Sequence, residues 1–335
     1  MCPSKGHGRD ATLSVKRTRK RPNTCLPGPA SLLAYTGRAS GHPSRGWKLL
    51  HSYFEGWYFR QQTDENTLAL IPARHADSAG NKSASIQVVS SDAASTAAYP
   101  FDSFCVDRRS GRIRVGENSF SRQGVQLHIE TDSLMAEGSL SFGRLTRPRS
   151  DIMGPFSLVP FLECRHSLFS LRHSVEGRVC VNGQETIFSP GVGYIEGDRG
   201  SSFPERYIWT QCSFGEDNSL MLSVADIPFL RGQFTGVIAS VLLDGREYRI
   251  ASYCGARVLS LGPGAVSVRQ GDMRLSAELL EKREQHLQAP VCGNMTRLIR
   301  ENVVCRARYR FVKGGDTLLD VVSNKAGFEF EWPLP

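Results

Sequence analysis

The sequence predicts an all-β protein built as an antiparallel barrel or sandwich. From about residue 50 onward, strand-like segments are joined by dipeptides that favour two-residue hairpin turns, without helical periods between them. Such a series of hairpins is typical of barrels and sandwiches rather than of α/β folds, in which helices alternate with strands. The 335 residues suffice for one large β-domain or two of ordinary size, with a sizeable core.

The first 48 residues differ from the rest in charge. They carry ten Lys or Arg and one acid, a net charge of +9. The whole chain has a net charge of +8, so the remaining residues are close to neutral. We interpret residues 1–48 as a basic disordered leader. The stretch KRTRKRP (16–22) could instead contact nucleic acid or anionic lipid, or belong to a targeting peptide. No nucleic acid is expected as a partner of the folded part.

The apolar runs and the cysteines predict a soluble intracellular protein. Residues 237–243 form one of the longest apolar runs, far below the length of a membrane span. The nine cysteines contain no C-x-x-C pair and read as reduced, buried thiols. We therefore expect a cytoplasmic location, or a plastid if the leader is a transit peptide. A peripheral contact with a membrane is compatible with this expectation.

Turn signals place the hairpins along the chain. Two-residue turns are predicted at Asn182-Gly183, Asp244-Gly245 and Gly314-Gly315, and a further turn at Ser110-Gly111. The segment 275–287 fits either a helix or a strand, and both remain open.

A proline-marked loop, LTRPRSDIMGPFSLVP (145–160), separates two β-rich halves. We expect the halves to span residues 49–189 and 190–335. Helices should be few and short.

The stretch HSYFEGWYF (51–59) places a glutamate on an aromatic face. At the strand period of two, Tyr53, Glu55, Trp57 and Phe59 share one side. A carboxylate among rings is costly to bury unless it is paired or protonated. Glu55 is therefore a mis-phased surface residue, half of a structural pair, or an acid tuned by an apolar pocket.

The segment GVGYIEGDRGSSFPERYIWTQC (191–212) combines glycines with charged and aromatic residues. Its glycines allow close backbone approach around Glu196 and Asp198, but it lacks the strand–loop–helix setting of a phosphate loop. Further on, Tyr207, Trp209 and Gln211 share a strand face. That face suits an apolar ligand pocket with one directing hydrogen bond, or ordinary sheet packing.

The segment FLECRHSLFSLRHSVEG (161–177) holds two histidines on apolar strand faces. A hydrogen-bonded core residue is the commoner role for such a histidine. A metal site of Cys164, His166 and His173 is conceivable, but no fourth ligand suggests itself and the spacing is not diagnostic. We expect no metal.

Four blocks together resemble the tocopherol cyclase family. They are FEGWYF, GPFSLVPFLECRHSLFSLRHSVEG, GYIEGDRGSSFPERYIWTQC and LQAPVCGNMTRLIRENV with AGFEFEW, in this order from about Trp47 to Trp332. The resemblance implies two lipocalin-like barrel halves. It also implies an isomerase that closes the chromanol ring of a prenylated benzoquinol without a cofactor, as in vitamin E biosynthesis. Bacterial relatives carry the same motifs where no tocopherol is expected, so the resemblance leaves the substrate open.

This chemistry needs a carboxylic acid that stays protonated near neutral pH and aromatic faces that stabilise a carbocation. An ion-pair role remains the alternative for each candidate acid. Glu196 and Asp198 are the first candidates for the acid, and Glu55 is the next. The expected substrate-binding residues are Trp57, Tyr58, His166, His173, Arg199, Tyr207, Trp209 and Gln211; the plant-type pattern commonly has an aromatic residue in place of Arg199.

Two other functions compete with cyclisation. A non-catalytic lipocalin-like carrier of a hydrophobic small molecule needs no buried acid. An isoprenoid hydratase would use the same acid but let water capture the cation. In every case the expected partner is a hydrophobic small molecule, such as a prenylquinol or another isoprenoid.

Overall fold

The computed structural model describes residues 52–160, 162–229 and 232–333, and it confirms the all-β prediction. The strands of these residues form two antiparallel sheets, one of eleven strands and one of ten. Three short 3-10 helices accompany them, at Phe101–Ser103, Gly154–Leu158 and Ser252–Cys254. Among the described residues, no helix has the length and apolar character needed to cross a membrane.

The first sheet contains the strands up to Gly200. Its order is β4-β3-β2-β1-β11-β10-β9-β8-β7-β6-β5, for strands with the following bounds: β1 Tyr53–Gln62, β2 Thr67–Ala76, β3 Lys82–Ser90, β4 Ala94–Tyr99, β5 Phe104–Asp107, β6 Arg112–Val115, β7 Asn118–Ser121, β8 Gly124–Glu130, β9 Met135–Phe142, β10 Cys164–Val181 and β11 Gln184–Gly200.

The second sheet contains the strands from Tyr207 onward. Its order is β15-β14-β13-β12-β21-β20-β18-β17-β16, and β19 pairs with β20 beside this path, for strands with the following bounds: β12 Tyr207–Phe214, β13 Asn218–Phe229, β14 Gly232–Leu243, β15 Arg246–Ala251, β16 Arg257–Gly262, β17 Ala265–Gln270, β18 Met273–Glu281, β19 Gln285–Val291, β20 Asn294–Lys313 and β21 Asp316–Glu331.

Each sheet curls around a core of its own. The first core, around Phe120, takes buried apolar side chains from all eleven strands of its sheet, and the second lies around Phe328. The alternating pattern in β8 shows how the sequence produces this: Val125, Leu127 and Ile129 are buried while the residues between them are exposed. Successive side chains of a strand face opposite sides, so one apolar face per strand builds the core.

The predicted two-residue turns are confirmed by their backbone angles. Asn182 and Asp244 have φ of 48°, and the glycine after each also has a positive φ. The Gly314-Gly315 turn has φ of 62° and 96°. Positive φ at both central residues gives the turn the twist of the strands it joins. The open segment 275–287 forms the end of β18, a short connection and the start of β19.

The two sheets pack against each other through smaller clusters of side chains. Tyr194 of the first sheet contacts a group that includes Trp209 and Met221 of the second. Elsewhere, Val89 packs with Ile299. The chain passes from the first sheet to the second between Gly200 and Tyr207. The expected division of the chain into halves at 189/190 stays a prediction.

The proline-marked loop lies between β9 and β10 and is anchored on the second sheet. Arg249 donates hydrogen bonds to the main-chain oxygens of Ser150 and Asp151, at 3.1 and 3.0 Å. Tyr253 donates to the main-chain oxygen of Ile152 at 3.1 Å. These contacts hold the loop across the space between the sheets.

The prediction of reduced, buried cysteines is wrong for Cys105 and Cys254, and the free thiols Cys164, Cys180 and Cys292 are only half-buried. Cys105 is disulfide-bonded, and Cys254 is an exposed free thiol rather than a buried one. Cys212 and Cys305 are buried free thiols, as expected. Side-chain spacing alone does not reveal a disulfide, because its partner can lie far away in the sequence. The leader (1–48) lies outside the described residues.

Candidate functional site

A cavity of about 190 Å³ lies between the two sheets. Aromatic and aliphatic side chains form most of its wall, and a few carboxyl groups converge on it, which is the usual composition of a small-molecule site. The wall includes Phe54, Trp57, Tyr58, Ile71, Met153, Phe156, Phe203, Tyr207, Trp209 and Ile299, together with the acids Glu196, Asp198, Glu301 and Glu329.

The structure brings most of the proposed site residues to this cavity. They come from β1 and from the consecutive strands β10, β11 and β12, which follow β1 by about a hundred residues. Those that line the cavity are Trp57, Tyr58, His166, Glu196, Asp198, Tyr207 and Trp209. Glu55, His173, Arg199 and Gln211 are absent from its lining.

Strand register explains how three neighbouring strands present these side chains. Antiparallel pairing sets Tyr58 of β1 opposite Glu196 of β11. On the other side of β11, His166 of β10 lies opposite Asp198. Because Glu196 and Asp198 are two residues apart, they share one face of the strand. The histidine therefore meets both carboxylates at the cavity wall.

His166, Glu196 and Asp198 form what we call the histidine cluster. The Nδ1 atom of His166 lies 3.0 Å from Oδ1 of Asp198, and its Nε2 lies 3.3 Å from Oε2 of Glu196. Glu196 also accepts hydrogen bonds from the hydroxyl of Tyr194 and, at 3.1 Å, from Nε1 of Trp209. The imidazole ring is thus held between two carboxylates.

The charge state of the histidine cluster follows from this arrangement. Burial by itself disfavours the imidazolium, but the nearby Asp198 and Glu196 carboxylates outweigh it and raise the pKa of His166 well above its usual range. Three possible metal-ligand atoms of the cluster lie within 4.8 Å of one another. A metal ion bound by these residues would have to displace the proton of His166.

A second acidic group was not anticipated from the sequence. Glu301 of β20 and Glu329 of β21 lie directly opposite each other across the two strands, and both line the cavity. Tyr58 donates to Oε1 of Glu301 at 2.8 Å, and Tyr207 donates to Oε2 of Glu329. We call Glu301 and Glu329 the carboxyl pair.

The surroundings of the carboxyl pair favour the protonated form of Glu329. Burial, followed by the charge of Glu301 and the hydrogen bond to it, raises the pKa of Glu329 well above its usual range. In the sequence, Glu329 lies between Phe328 and Phe330, whose side chains face the other side of the strand.

Glu55 is held in an ion pair. Its Oε2 accepts hydrogen bonds from Arg74 at 3.1 and 2.7 Å and from the hydroxyl of Tyr53 at 2.7 Å. The structural pair is one of the roles that the sequence left open. Arg74 itself lines the cavity, so Glu55 supports the wall through its partner.

Gln211 and His173 have partners away from the cavity. Gln211 accepts a 2.6 Å hydrogen bond from the buried Arg60. His173 is 3% exposed, packs against Phe142 and lies 2.9 Å from the Ser170 hydroxyl. Burial lowers the pKa of His173 to about 3, which keeps the ring neutral.

Arg199 has an exposed side chain, and its backbone pairs with β1 and β10. The residues proposed for a metal site are also separated, since Cys164 and His166 line the cavity and His173 does not.

No family model and no curated protein matches the sequence. Among solved structures, CghA superposes with a TM-score of 0.56 at 11% identity, over 84% of this chain and 88% of its own. The likeness to CghA is one of fold.

Two other solved structures give lower scores. A protein described as an AttH from Nitrosomonas europaea has a TM-score of 0.49 at 12% identity, over 84% of this chain and 93% of its own. Kievitone hydratase from Nectria haematococca has a TM-score of 0.46 at 8% identity, over 84% of this chain and 89% of its own.

Proposed function

We propose that the protein is an enzyme that protonates a double bond of an isoprenoid in the cavity between its sheets. In the specific form that we favour, it closes the chromanol ring of a prenylated benzoquinol, as tocopherol cyclases do. The observation that carries the proposal is the convergence of the histidine cluster and the carboxyl pair on one apolar, aromatic cavity.

The reaction places particular demands on such a cavity. A carboxylic acid adds its proton to the less substituted alkene carbon, which leaves a tertiary cation on the neighbouring carbon. Aromatic faces such as those of Trp57, Tyr58 and Trp209 stabilise this cation and keep water away from it. The phenol oxygen then captures the cation and loses its proton, so the product is an isomer of the substrate.

The choice of a prenylquinol rests on the blocks through which the sequence resembles tocopherol cyclases. The FEGWYF block contributes Trp57 and Tyr58 to the cavity wall. The block that begins at GYIEGD contributes Glu196, Asp198 and Trp209. The segments that carry the resemblance are therefore also segments that build the cavity.

Incubation with 2-methyl-6-phytylbenzoquinol under reducing conditions tests the proposal. In heavy water we expect a chromanol that carries one non-exchangeable deuterium, detected by mass spectrometry. A product heavier by one water would identify a hydratase instead. Substrate that binds and is recovered unchanged would contradict the enzyme and support a carrier.

A further inference from the structure

We infer that the Glu301–Glu329 carboxyl pair, rather than Glu196 or Asp198, donates the proton to the substrate. This inference rests on the proposed function, because it assigns one step of that reaction. It concerns residues that no pattern in the sequence had singled out.

The first argument is the proximity of the two carboxyl groups. Glu301 and Glu329 lie directly opposite each other on neighbouring strands, and Glu301 is 1% exposed. Two carboxyl groups that share one buried site oppose each other's ionisation, which favours a proton on one of them. Pairing across β20 and β21 fixes their spacing, and both line the cavity.

The second argument concerns the groups that surround the pair. From β1, Tyr58 donates to Glu301, and from β12, Tyr207 donates to Glu329. From β11, Glu196 adds a negative charge that opposes ionisation of Glu329. The pair thus meets phenols and a further carboxyl group.

Two arginines lie near these phenols and act on the pair only at a distance. The guanidinium of Arg60 favours the ionised form of Tyr58, but its hydrogen bonds go to amide and main-chain oxygens. Arg297 lies 5.7 Å from the ring centroid of Tyr207 and pairs with Glu331. Neither guanidinium neutralises the pair by direct contact.

The histidine cluster has the opposite character. Its two carboxyl groups flank His166, at 3.0 and 3.3 Å. Tyr194 and Trp209 donate further hydrogen bonds to Glu196. The carboxyl groups of the histidine cluster thus face an imidazole between them, whereas those of the carboxyl pair face each other.

The proton-transfer step balances on the carboxyl pair alone. The O–H bond of Glu329 breaks, and the π electrons of the alkene form a new C–H bond, which leaves a tertiary cation and an ionised pair. A lone pair of the phenol oxygen then forms the C–O bond. The phenol proton returns to the pair, directly or through solvent, so no oxidant, reductant or cofactor is consumed.

Infrared difference spectroscopy of the full chain tests the shared proton without any substrate. We expect the wild type near neutral pH to show the carbonyl stretch of a protonated carboxyl group, shifted in heavy water. Glu329→Gln and Glu301→Gln should each alter that band. Glu331→Gln, on the same strand and ion-paired with Arg297 and Arg300, should leave it unchanged. A band that is absent, or that disappears only in Glu196→Gln, overturns the inference.

Turnover of 2-methyl-6-phytylbenzoquinol gives a second test. Glu329→Gln should lower kcat by about 100-fold or more, which is the usual contribution of a general acid, while Glu331→Gln stays active. If Glu329→Gln keeps its kcat, the inference fails even where the proposed function holds. If the wild type forms no product, the proposed function fails, and the infrared band still decides whether the pair holds a proton.

Tyr207→Phe provides a variant that preserves the carboxyl pair. The Tyr207 hydroxyl lowers the pKa of Glu329 against the larger effects of burial and Glu301. Its removal should therefore shift the alkaline limb of the pH–rate profile to higher pH. An unchanged limb would count against Glu329 as the donor.

Discussion

Arg60 of the first sheet donates a 2.6 Å hydrogen bond from Nη1 to Oε1 of Gln211 in the second sheet. The same guanidinium donates to the main-chain oxygen of Val303 at 3.1 and 2.8 Å and to that of Lys325 at 2.9 Å. Arg60 is 1% exposed. A single buried cation thus satisfies acceptors on β12, β20 and β21, and it ties the two sheets together.

Replacing Arg60 by Met should destabilise the protein strongly. The variant keeps most of the side-chain volume but leaves the buried oxygens of Gln62, Gln211 and Val303 without this donor. The main-chain oxygen of Lys325 still accepts a hydrogen bond from Gln62. Each unsatisfied group costs about 1–3 kcal/mol, so we expect a loss of at least about 3 kcal/mol in the free energy of unfolding, measured in urea.

Arg308→Met is the matched control for this substitution. Arg308 lies on the surface in an ion pair with Asp320, and exposed ion pairs contribute little. Equal urea midpoints for the two variants would contradict the role assigned to Arg60.

The His166 imidazolium should make stability depend on pH above neutrality. Because the nearby carboxylates raise the pKa of His166 above its ordinary 6.5, the folded state binds this proton more tightly than the unfolded state. The stabilisation is complete below about 6.5 and is lost as the pH rises through the folded-state pKa. His166→Gln should therefore lie furthest below the wild type in acid, and the gap should narrow in alkali. Nitrogen NMR that shows a neutral His166 ring at neutral pH would refute this.

His173 should make stability depend on pH in the opposite sense to His166, below neutrality. Burial lowers its pKa from 6.5 to about 3, so the unfolded state binds the proton more tightly between these values. Stability should fall as the pH drops through this window. His173→Gln should lose less stability than the wild type between neutral and acidic pH, as measured by thermal unfolding. If both proteins lose stability in parallel, His173 is not the residue that titrates.

The hairpins were predictable because their signals are local. Asn182-Gly183 requires positive φ at adjacent residues, and a two-residue turn follows from that alone. By contrast, the pairing of β1 with β11, or of β12 with β21, joins segments more than a hundred residues apart. No short-range pattern specifies which of many similar strands will meet.

The histidine cluster was predictable as a set of residues but not as a geometry. If β10 and β11 paired without irregularity from the turn at Asn182-Gly183, His166 would lie opposite Arg199. Irregularities in the ladder shift the register by one residue, and Asp198 lies opposite His166 instead. A one-residue slip exchanges the faces of a strand, which explains why Arg199 is exposed while Asp198 reaches the cavity.

The carboxyl pair was missed because its signal is split between two strands. Glu301 follows Arg300 in a polar stretch and reads as a surface residue. It becomes a buried acid only when β21 brings Glu329 beside it and β1 brings the Tyr58 hydroxyl. Such a pair depends on tertiary contacts that spacing along the chain cannot express.

Gly200 should not tolerate a side chain, because β11 packs closely there against the first residue of β10 and the residue before it. A Cβ atom would stand 1.9 Å from the main-chain oxygen of Glu163 and 3.0 Å from Cα of Cys164. Since these are backbone atoms, the strands must separate. Gly200→Ala should therefore lower the free energy of unfolding by about 3 kcal/mol, near the upper end for overpacking.

Gly262→Ala is the control for this substitution. Its Cβ would meet nothing within 4 Å, so the lower entropy of the unfolded chain should stabilise the variant by up to about 1 kcal/mol. Urea midpoints that move in the same direction for both variants would show that close approach at Gly200 is not what requires glycine.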